Sequence, residues 1–393
     1  SLVAILIVLF VADFATAKAE ERKWFNPLAS ILLLLNTFVC LYPMDTQHLF
    51  GDMYVTSSAV NVMKAILSMG TFIVVVQSRT WAAKTGKEAE FYMLIVSTLL
   101  GMFAMMSAGN FVMFFLGLEM ASVPLACAVA FDMYRKNSAE AAAKFILTAT
   151  FSSGVMLYGI SFLYGQFGTL YFEDIAVKMQ ATPLTVIGLV FFFSGLGFKI
   201  SLVPFHFWTA DTYQGAPTTV TGYLSVISKG AAAFTLLSIL FHVFGGMMEY
   251  WHVLLMIVVV LSITIANLFA VRQNELKRFM AFSSISQAGY IMLAAIGNNW
   301  ANSVAALSYY VLIYVVANMA VFTIISVVEQ NNGGKTDISD YNGFYQTNPR
   351  LSFLMTLAMF SLGGIPPFAG MFSKFFIFMS GVNGADINTT MGA

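Results

Sequence analysis

The sequence predicts an all-α polytopic membrane protein, on the basis of its apolar composition, its series of apolar segments and the positions of its basic residues. Of 393 residues, 59% are hydrophobic and 10% are charged, whereas a typical soluble domain has roughly 45–50% apolar and about 25% charged residues. So few charges do not cover a water-exposed surface. Most of the chain must therefore face lipid or other apolar helices.

Apolar segments long enough to cross roughly 30 Å of hydrocarbon, at about 1.5 Å of helix per residue, recur along the whole chain. The twelve predicted spans are 1–16, 28–43, 54–77, 91–108, 110–131, 141–165, 184–204, 217–244, 251–270, 279–297, 302–328 and 351–380. Because Ser1 lies inside the first span, we expect the N-terminus of the sequence to be incomplete. A secretory signal cleaved after residues 15–17 is the alternative, but no basic residues precede that segment.

The basic residues between the spans agree with this count, because cytoplasmic loops hold most Lys and Arg. Loops after even-numbered spans contain only Lys178. Loops after odd-numbered spans contain thirteen basic residues: Lys18, Arg22, Lys23, Arg79, Lys84, Lys87, Arg135, Lys136, Arg272, Lys277, Arg278, Lys335 and Arg350. The pattern predicts odd-numbered loops in the cytoplasm and the N-terminus outside.

Proline interrupts two predicted spans in similar surroundings, LVPF at 202–205 and IPPF at 365–368. Proline removes a helix donor and frees backbone carbonyls. The two spans are five segments apart and so cross the membrane in opposite directions, which predicts two inverted five-helix repeats, each with a proline-broken helix. Residues 1–90 would form helices 1–3, residues 91–244 the first repeat (helices 4–8) and residues 251–393 an incomplete second repeat (helices 9–12).

Among the acids, only Glu119 lies near the middle of a predicted span. Five lysines also lie inside spans: Lys64, Lys144, Lys199, Lys229 and Lys374. A charge at a span centre costs about 2.5–3.5 kcal/mol on insertion scales, so such residues usually face the bundle interior and mark ion pathways. For Lys64 and Lys144, which are near span ends, snorkelling or packing is an equally good explanation.

The remaining four charges are central or adjoin a helix break. Glu119 and Lys229 lie near the middle of their spans, while Lys199 and Lys374 lie within two turns of the prolines, where freed backbone groups and water gather. Burial disfavours the charged form of lysine, so a buried lysine can exchange protons near neutral pH, whereas arginine stays charged. We predict that Glu119 and Lys199 form an ion pair that switches the direction of proton movement.

Other polar side chains near these charges are candidates to order water or to hydrogen-bond between helices. They are His206, Asp211, Tyr213, Ser283, Ser284, Ser286, Gln287 and Tyr290. Cys40, Cys127 and the four His residues show no metal or iron–sulfur spacing, and a formal net charge of zero gives no sign of a nucleic-acid partner. We expect no redox centre, cofactor or metal in this chain.

Three stretches of the sequence resemble the antiporter-like membrane subunits of respiratory complex I, most of all subunit N, and the resemblance covers nearly the whole chain. They are GFKISLVPFH at 197–206 continuing to DTYQGAP at 211–217, KR at 277–278 followed by SSIS at 283–286, and GIPP at 364–367 followed by FSKF at 372–375. The family has fourteen helices, or fewer in animals, so the resemblance implies that the thirteenth and fourteenth are absent here. The sequence departs from the family at Gln287, where many subunit N sequences have His.

The resemblance also implies roles for individual residues in proton translocation. It assigns Glu119 and Lys199 to a paired switch, Lys229 to the central relay and Lys374 to the exit-side half-channel. Supporting residues are Lys144 with Glu140, which resemble a polar pair of subunit N at the start of the sixth helix, and His206.

For the whole complex, the resemblance implies a multi-pass subunit of the bacterial inner membrane. Its expected neighbours are another antiporter-like subunit and small membrane subunits, with indirect coupling to a peripheral arm. FMN, iron–sulfur clusters and quinone are expected in partner subunits. Two alternatives remain: a subunit of a multisubunit sodium/proton antiporter, which shares the repeat and the lysines, and a structural membrane scaffold, which has no use for isolated charges in mid-helix.

Overall fold

A computed structural model describes residues 1–16, 24–133 and 135–382. The helices of the first half are α1 (Leu2–Ala15), α2 (Phe25–Leu41), α3 (Ser58–Thr85), α4 (Glu88–Met106), α5 (Phe111–Val129), α6 (Lys136–Phe167), α7 (Phe172–Lys178) and α8 (Pro183–Ile200). Those of the second half are α9 (Trp208–Gly215), α10 (Thr218–Tyr223), α11 (Lys229–His242), α12 (Met248–Ala270), α13 (Leu276–Met292), α14 (Trp300–Asn331), α15 (Phe344–Thr347), α16 (Pro349–Gly363) and α17 (Ala369–Val382).

The predicted fold class is confirmed, and each of the twelve predicted spans coincides with at least one of these helices. In the described residues, nine helical runs are long and apolar enough to cross a membrane, and α1, α2 and α17 are shorter apolar helices. The predicted third span begins too early, because residues 54–56 form strand β2 (Tyr54–Thr56), paired antiparallel with β1 (Gln47–Leu49). Helix α7 was not predicted.

Helix boundaries follow from local capping chemistry. Helix α5 begins where the Asn110 side chain accepts hydrogen bonds from two backbone amides of the first turn. Helix α8 begins with a reciprocal capping box between Thr182 and Thr185, with Pro183 at its first position. Helix α3 ends at Thr85, and the capping Gly86 that follows adopts a left-handed conformation, which is accessible at little cost without a Cβ atom.

The loops rich in basic residues meet at one end of the bundle, here called the basic end. The end of α3 contacts the end of α14 through Thr80 and Gln330, 3.3 Å apart. The loop before α6 reaches the same helix through Arg135 and Glu329, and the backbone amide of Leu276 donates to the carbonyl of Thr336. Loops after predicted spans 3, 5, 9 and 11 therefore share one end; the predicted basic residues 18, 22 and 23 lie outside the described residues.

Apolar side chains cover much of the outside of the bundle. Phe14 is 86% exposed and Val271 is 86% exposed, and many exposed large side chains on α2 and α12 are also apolar. An exposed apolar surface of this extent is stable only against lipid or partner helices.

Helices α4 and α5 pack at backbone distance through Gly101 and Gly117. A Cβ atom at Gly117 would lie 2.4 Å from the backbone nitrogen of Met105, and one at Gly101 would lie 2.3 Å from the backbone nitrogen of Ala121. Small residues allow this approach, as is usual where membrane helices touch. The contact fixes α5, which carries Glu119 and Ser122.

We expect Gly117→Val to destabilise the protein and to lower the amount recovered from membranes, because α4 and α5 must separate. Overpacking of this kind typically costs about 1–3 kcal/mol. The matched control is Gly154→Val, since a Cβ atom at Gly154 meets nothing within 4 Å. Thermal unfolding in detergent measures the difference, and equal stability of the two variants would contradict this packing.

The two proline breaks have the same local backbone pattern. After α8, the amide of Leu202 donates to the carbonyl of Gly197, and the amide of Phe205 donates to that of Leu202. After α16, the amides of Ile365 and Phe368 make the corresponding bonds to Phe360 and Ile365. The residue that ends each helix is left-handed, Ser201 in one case and Gly364 in the other. Inversion of the two repeats remains a prediction.

Candidate functional site

Lys199 lies in the last turn of α8 and is only 4% exposed. Its Nζ donates to Ser122 Oγ of α5 at 2.7 Å and lies 5.9 Å from the centre of the Phe145 ring. The predicted ion pair with Glu119 is not a direct contact in the described residues. Glu119 is half-buried, one turn from Ser122, and interacts with Lys199 electrostatically.

Several buried polar atoms follow Lys199 in the first break without a hydrogen-bond partner among the described residues. They are Ser201 Oγ, His206 Nδ1, Thr209 Oγ1 and Thr212 Oγ1. Buried polar groups are normally paired, with protein or with ordered water. The imidazole of His206 is also close enough to Lys229 for their charges to interact. The break is therefore a polar region next to the buried lysine.

Lys229 is the most deeply buried of the predicted lysines, at 1% exposed. A π-helical turn, Leu224–Ser228, immediately precedes it, and single π-helical turns are frequent at functional sites. Its Nζ donates to Ser284 Oγ of α13 and lies 5.3 Å from the centre of the Tyr213 ring. The Tyr213 hydroxyl is 3.0 Å from the same Ser284 oxygen, so Ser284 joins two elements at this lysine.

Gln287, one turn beyond Ser284 on α13, connects this region to the second break. Its Oε1 accepts from the Tyr310 hydroxyl, and its Nε2 donates to the Leu362 carbonyl at 3.0 Å. The same carbonyl accepts from Lys374 Nζ at 3.0 Å. The end of α16, at the second break, thus provides a carbonyl that Gln287 and Lys374 share as acceptor.

Lys374 lies on α17 and is partly buried. Besides Leu362, its Nζ contacts the Gly363 carbonyl at 3.1 Å and lies 4.7 Å from the centre of the Tyr290 ring. A cavity beside it leaves about 10 Å³, which is roughly room for one water. The ends of the Lys199–Lys229–Lys374 series both lie at helix breaks, as the sequence predicted.

Lys144 and Glu140 form the polar pair that the sequence singled out. Lys144 Nζ lies 2.8 Å from Glu140 Oε1 and 2.8 Å from Asp211 Oδ2. The other oxygen of Asp211 is 2.8 Å from Arg278. These side chains are partly exposed, so Asp211 belongs to an ion network at the basic end rather than to the buried lysines.

Lys64 does not snorkel. It is 4% exposed and donates to the hydroxyl of Tyr54 in strand β2 at 2.9 Å. Snorkelling is therefore wrong for Lys64, while packing inside the bundle and a place in an ion pathway both stay predictions.

A further buried charged cluster was missed by the sequence reasoning. Glu329, near the end of α14, accepts from Arg135 at 2.8 Å and from Thr218 Oγ1, while Lys277, 2% exposed, donates to the Ala216 carbonyl at 2.7 Å. Lys277 and Glu329 also interact electrostatically. Lys277 was assigned to a loop, although helix α13 begins at Leu276. The available sequence signal for its burial was that Lys277 lies just before an apolar run.

Across the described part of the chain, no group of three or more His, Cys, Asp and Glu side chains could hold a metal ion. The chemistry of the site consists of ammonium groups, hydroxyls and freed carbonyls inside a helix bundle. Such groups can pass protons and do not exchange electrons. Together with the fold, they define a class: a polytopic membrane protein with lysines buried inside its helix bundle.

The chain belongs to the family described as NADH:quinone oxidoreductase/Mrp antiporter transmembrane proteins, whose model matches residues 108–392. It is 59% identical over 383 residues to NADH-quinone oxidoreductase subunit N of Phocaeicola vulgatus, covering 97% of this chain and 80% of that protein. It also resembles a chain of respiratory complex I from Thermus thermophilus, with 28% identity and a TM-score of 0.81, covering 99% of this chain and 84% of that chain.

The fold is shared more widely. A chain of the Mrp complex from Dietzia sp. DQ12-45-1b superposes with a TM-score of 0.82 over 99% of this chain and 76% of that chain, at 19% identity. This likeness concerns the fold alone. The family and its resemblance to subunit N, predicted from the three sequence stretches, are confirmed.

Proposed function

We propose that this chain is a proton-translocating membrane subunit of an NADH:quinone oxidoreductase, and that Lys199, Lys229 and Lys374 carry the proton inside it. The observation that carries the proposal is the set of contacts made by these lysines. In the described residues, each Nζ donates to a hydroxyl or carbonyl oxygen, and none has a direct carboxylate partner. An ammonium held this way in a low-dielectric interior gives up its proton more readily than one in a salt bridge.

The connections between the lysines supply the steps. A proton on Lys229 can pass to the Ser284 hydroxyl, because the two atoms are hydrogen-bonded. Gln287 does not titrate, but it orients the Tyr310 hydroxyl and shares the Leu362 carbonyl with Lys374. Water in the adjoining cavity completes the route to Lys374. The proposed steps move protons only, and we place the driving redox reaction in other subunits of the complex.

Glu119 acts as the electrostatic partner of Lys199. Since the Lys199 ammonium contacts Ser122 and not Glu119, the carboxylate stabilises it through space. When Glu119 is neutralised or its partner helix shifts, Lys199 loses that stabilisation and releases its proton toward Lys229. His206 supports this step from the first break, and the Lys144–Glu140 pair adjusts charge at the basic end.

The repeat organisation remains part of the proposal. The shared hydrogen-bond pattern of the two breaks supports repeats at 91–244 and 251–393, preceded by helices 1–3 in residues 1–90. Residues 383–393 lie outside the described part of the chain. In an inverted pair, the two breaks would open half-channels toward opposite sides of the membrane.

The orientation of the chain in the membrane and its neighbouring subunits are also part of the proposal. The basic end faces the cytoplasm by the distribution of Lys and Arg, which puts the first residues outside, in a bacterial inner membrane. The partners are other membrane subunits of the complex, including a second antiporter-like subunit and small subunits, with the peripheral arm coupled indirectly. FMN, iron–sulfur clusters and quinone belong to those partners.

The second candidate, a subunit of a multisubunit sodium/proton antiporter, is favoured by the family description, which names the Mrp antiporter beside NADH:quinone oxidoreductase. To separate the two, the native complex is purified through this chain in mild detergent and assayed for NADH oxidation, flavin and iron–sulfur content. We expect flavin and iron–sulfur clusters to copurify with this chain, and the purified complex to oxidise NADH and reduce quinone. Recovery of membrane helices alone, without flavin or activity, would refute the oxidoreductase assignment and favour the antiporter.

A further inference from the structure

Two cavities at the basic end share Arg135 and Glu329 as walls. The larger, about 410 Å³, is also lined by Lys277, and the smaller, about 190 Å³, is lined by Thr218 and Thr219. One water needs about 10–15 Å³ of such space, so both cavities hold several. Water from this side of the membrane therefore reaches the Glu329 carboxylate.

Beside this carboxylate, on the wall of the larger cavity, lies a buried base. Lys277 contacts the Ala216 carbonyl and interacts electrostatically with Glu329. An ammonium has three hydrogens, and the contact with Ala216 uses one of them. The acid and the lysine on this cavity wall form a pair through which a proton can leave water and enter the bundle.

Helix α13 leads from this pair to the proposed relay. Ser284 is seven residues beyond Lys277, about two turns or roughly 10.5 Å along the axis, and so faces nearly the same way. Ser284 holds Lys229. Thr212 Oγ1 and Thr219 Oγ1 are buried without a hydrogen-bond partner among the described residues. They add hydroxyls on α9, which packs against α13, and on the wall of the smaller cavity.

We propose that Glu329 and Lys277 form a proton-intake site at the basic end and supply Lys229; this inference rests on the function proposed above. A hydronium in the cavity gives its proton to a Glu329 oxygen and becomes water. Lys277 gives a proton inward, through hydroxyls and water, to the neutral amine of Lys229, and the Glu329 carboxyl then reprotonates Lys277. One proton moves inward, and each electron pair stays on its oxygen or nitrogen. Arg135 stays charged throughout.

The test replaces Glu329 by Gln in the full complex, reconstituted in vesicles and driven by NADH added outside. We expect proton transport to fall by about tenfold or more, because a positioned acid–base group typically contributes about 10²–10⁴-fold. The deficit should shrink as the external pH is lowered, since more hydronium reaches the site. Lys277→Arg keeps a positive charge and a donor for Ala216 but does not release a proton, so it should also slow transport. Glu90→Gln removes an exposed carboxylate from the basic end and should leave the rate unchanged.

Assembly and pH dependence separate this role from a structural one. Fully assembled Glu329→Gln and Lys277→Arg complexes that pump at the unmodified rate would overturn the inference. A loss of proton transport that is fully explained by a smaller amount of assembled complex would also overturn it. The same holds for a loss of transport that does not change with pH. Glu329→Asp, which retains a carboxylate, should restore part of the rate. Lys229→Met tests the underlying function separately: impaired pumping there with normal pumping in Glu329→Gln refutes the intake site alone, whereas normal pumping in Lys229→Met refutes the proposed function.

Discussion

Replacing Lys229 by Met in the assembled complex is expected to reduce NADH-driven proton transport by about a hundredfold, within the range typical for loss of a positioned acid–base group. Lys229 is the central lysine and the one bound to Ser284. Methionine retains the length and apolar body of the side chain but has no exchangeable proton. The hole left at Ser284 is small, so the bundle should stay intact. Proton uptake into vesicles and NADH:quinone activity are measured on equal amounts of complex.

Two further variants make this result specific to proton exchange. Lys229→Arg retains a positive charge but does not deprotonate, and we expect it to be as inactive as Lys229→Met. Lys64→Met removes another buried lysine, one that contacts Tyr54 away from the proposed route, and it should preserve transport once normalised for assembled complex. Transport by Lys229→Arg at the unmodified rate would exclude proton release from this lysine.

The membrane-spanning helices could be predicted because lipid imposes a simple rule on the sequence. A segment that crosses hydrocarbon must be apolar and must satisfy its own backbone, so length and composition locate it. The prolines at 204 and 367 marked both breaks for the same reason, as they remove backbone donors. Extra-membrane features such as the β1–β2 hairpin and α7 are subject to no such rule, and they were missed.

The contacts inside the site could be predicted only in part. The lysines were identified from their cost in lipid, and the structure places Lys199 and Lys374 next to the breaks as expected. Their partners depend on how the helices are rotated about their axes, which composition does not determine. Thus Lys199 donates to Ser122, whereas direct contact with Glu119 was predicted. Asp211 pairs with Lys144 and not with one of the buried lysines. The roles of these residues in transport stay predictions.

Other features of the site carry weak sequence signals. The π-helical turn before Lys229 arises from tertiary packing, and no residue type in Leu224–Ser228 announces it. Lys277 and Glu329 lie at span ends, where charged residues are usually solvated, so their positions in the sequence do not indicate burial. They are buried together by the packing of α13 and α14 against Ala216, Thr218 and the loop before α6. Charged residues at the ends of membrane helices therefore need the structure before they can be assigned to surface or interior.

Removing the charge of Glu119 is expected to slow proton transport several-fold, less than the loss of Lys199 itself. Glu119→Gln takes away the through-space stabilisation of the Lys199 ammonium but leaves its hydrogen bond to Ser122 intact. At an effective dielectric constant near 20, two unit charges that are more than about 4 Å apart attract each other by about 4 kcal/mol at most. Lys199→Met removes the proton carrier and should reduce transport by about a hundredfold.

The double variant decides whether Glu119 acts through Lys199. If it does, Glu119→Gln should cost almost nothing further in a Lys199→Met background, because the charge it stabilises is already gone. Equal effects of Glu119→Gln in both backgrounds would mean that the carboxylate acts on another group, and the switch would have to be abandoned. Glu249→Gln, at an exposed position in the first turn of α12, controls for loss of a carboxylate as such and should transport protons at the unmodified rate. A switch built on charge at a distance, with Ser122 as the fixed hydrogen-bond partner, lets Lys199 gain and lose its proton without the side chain having to move.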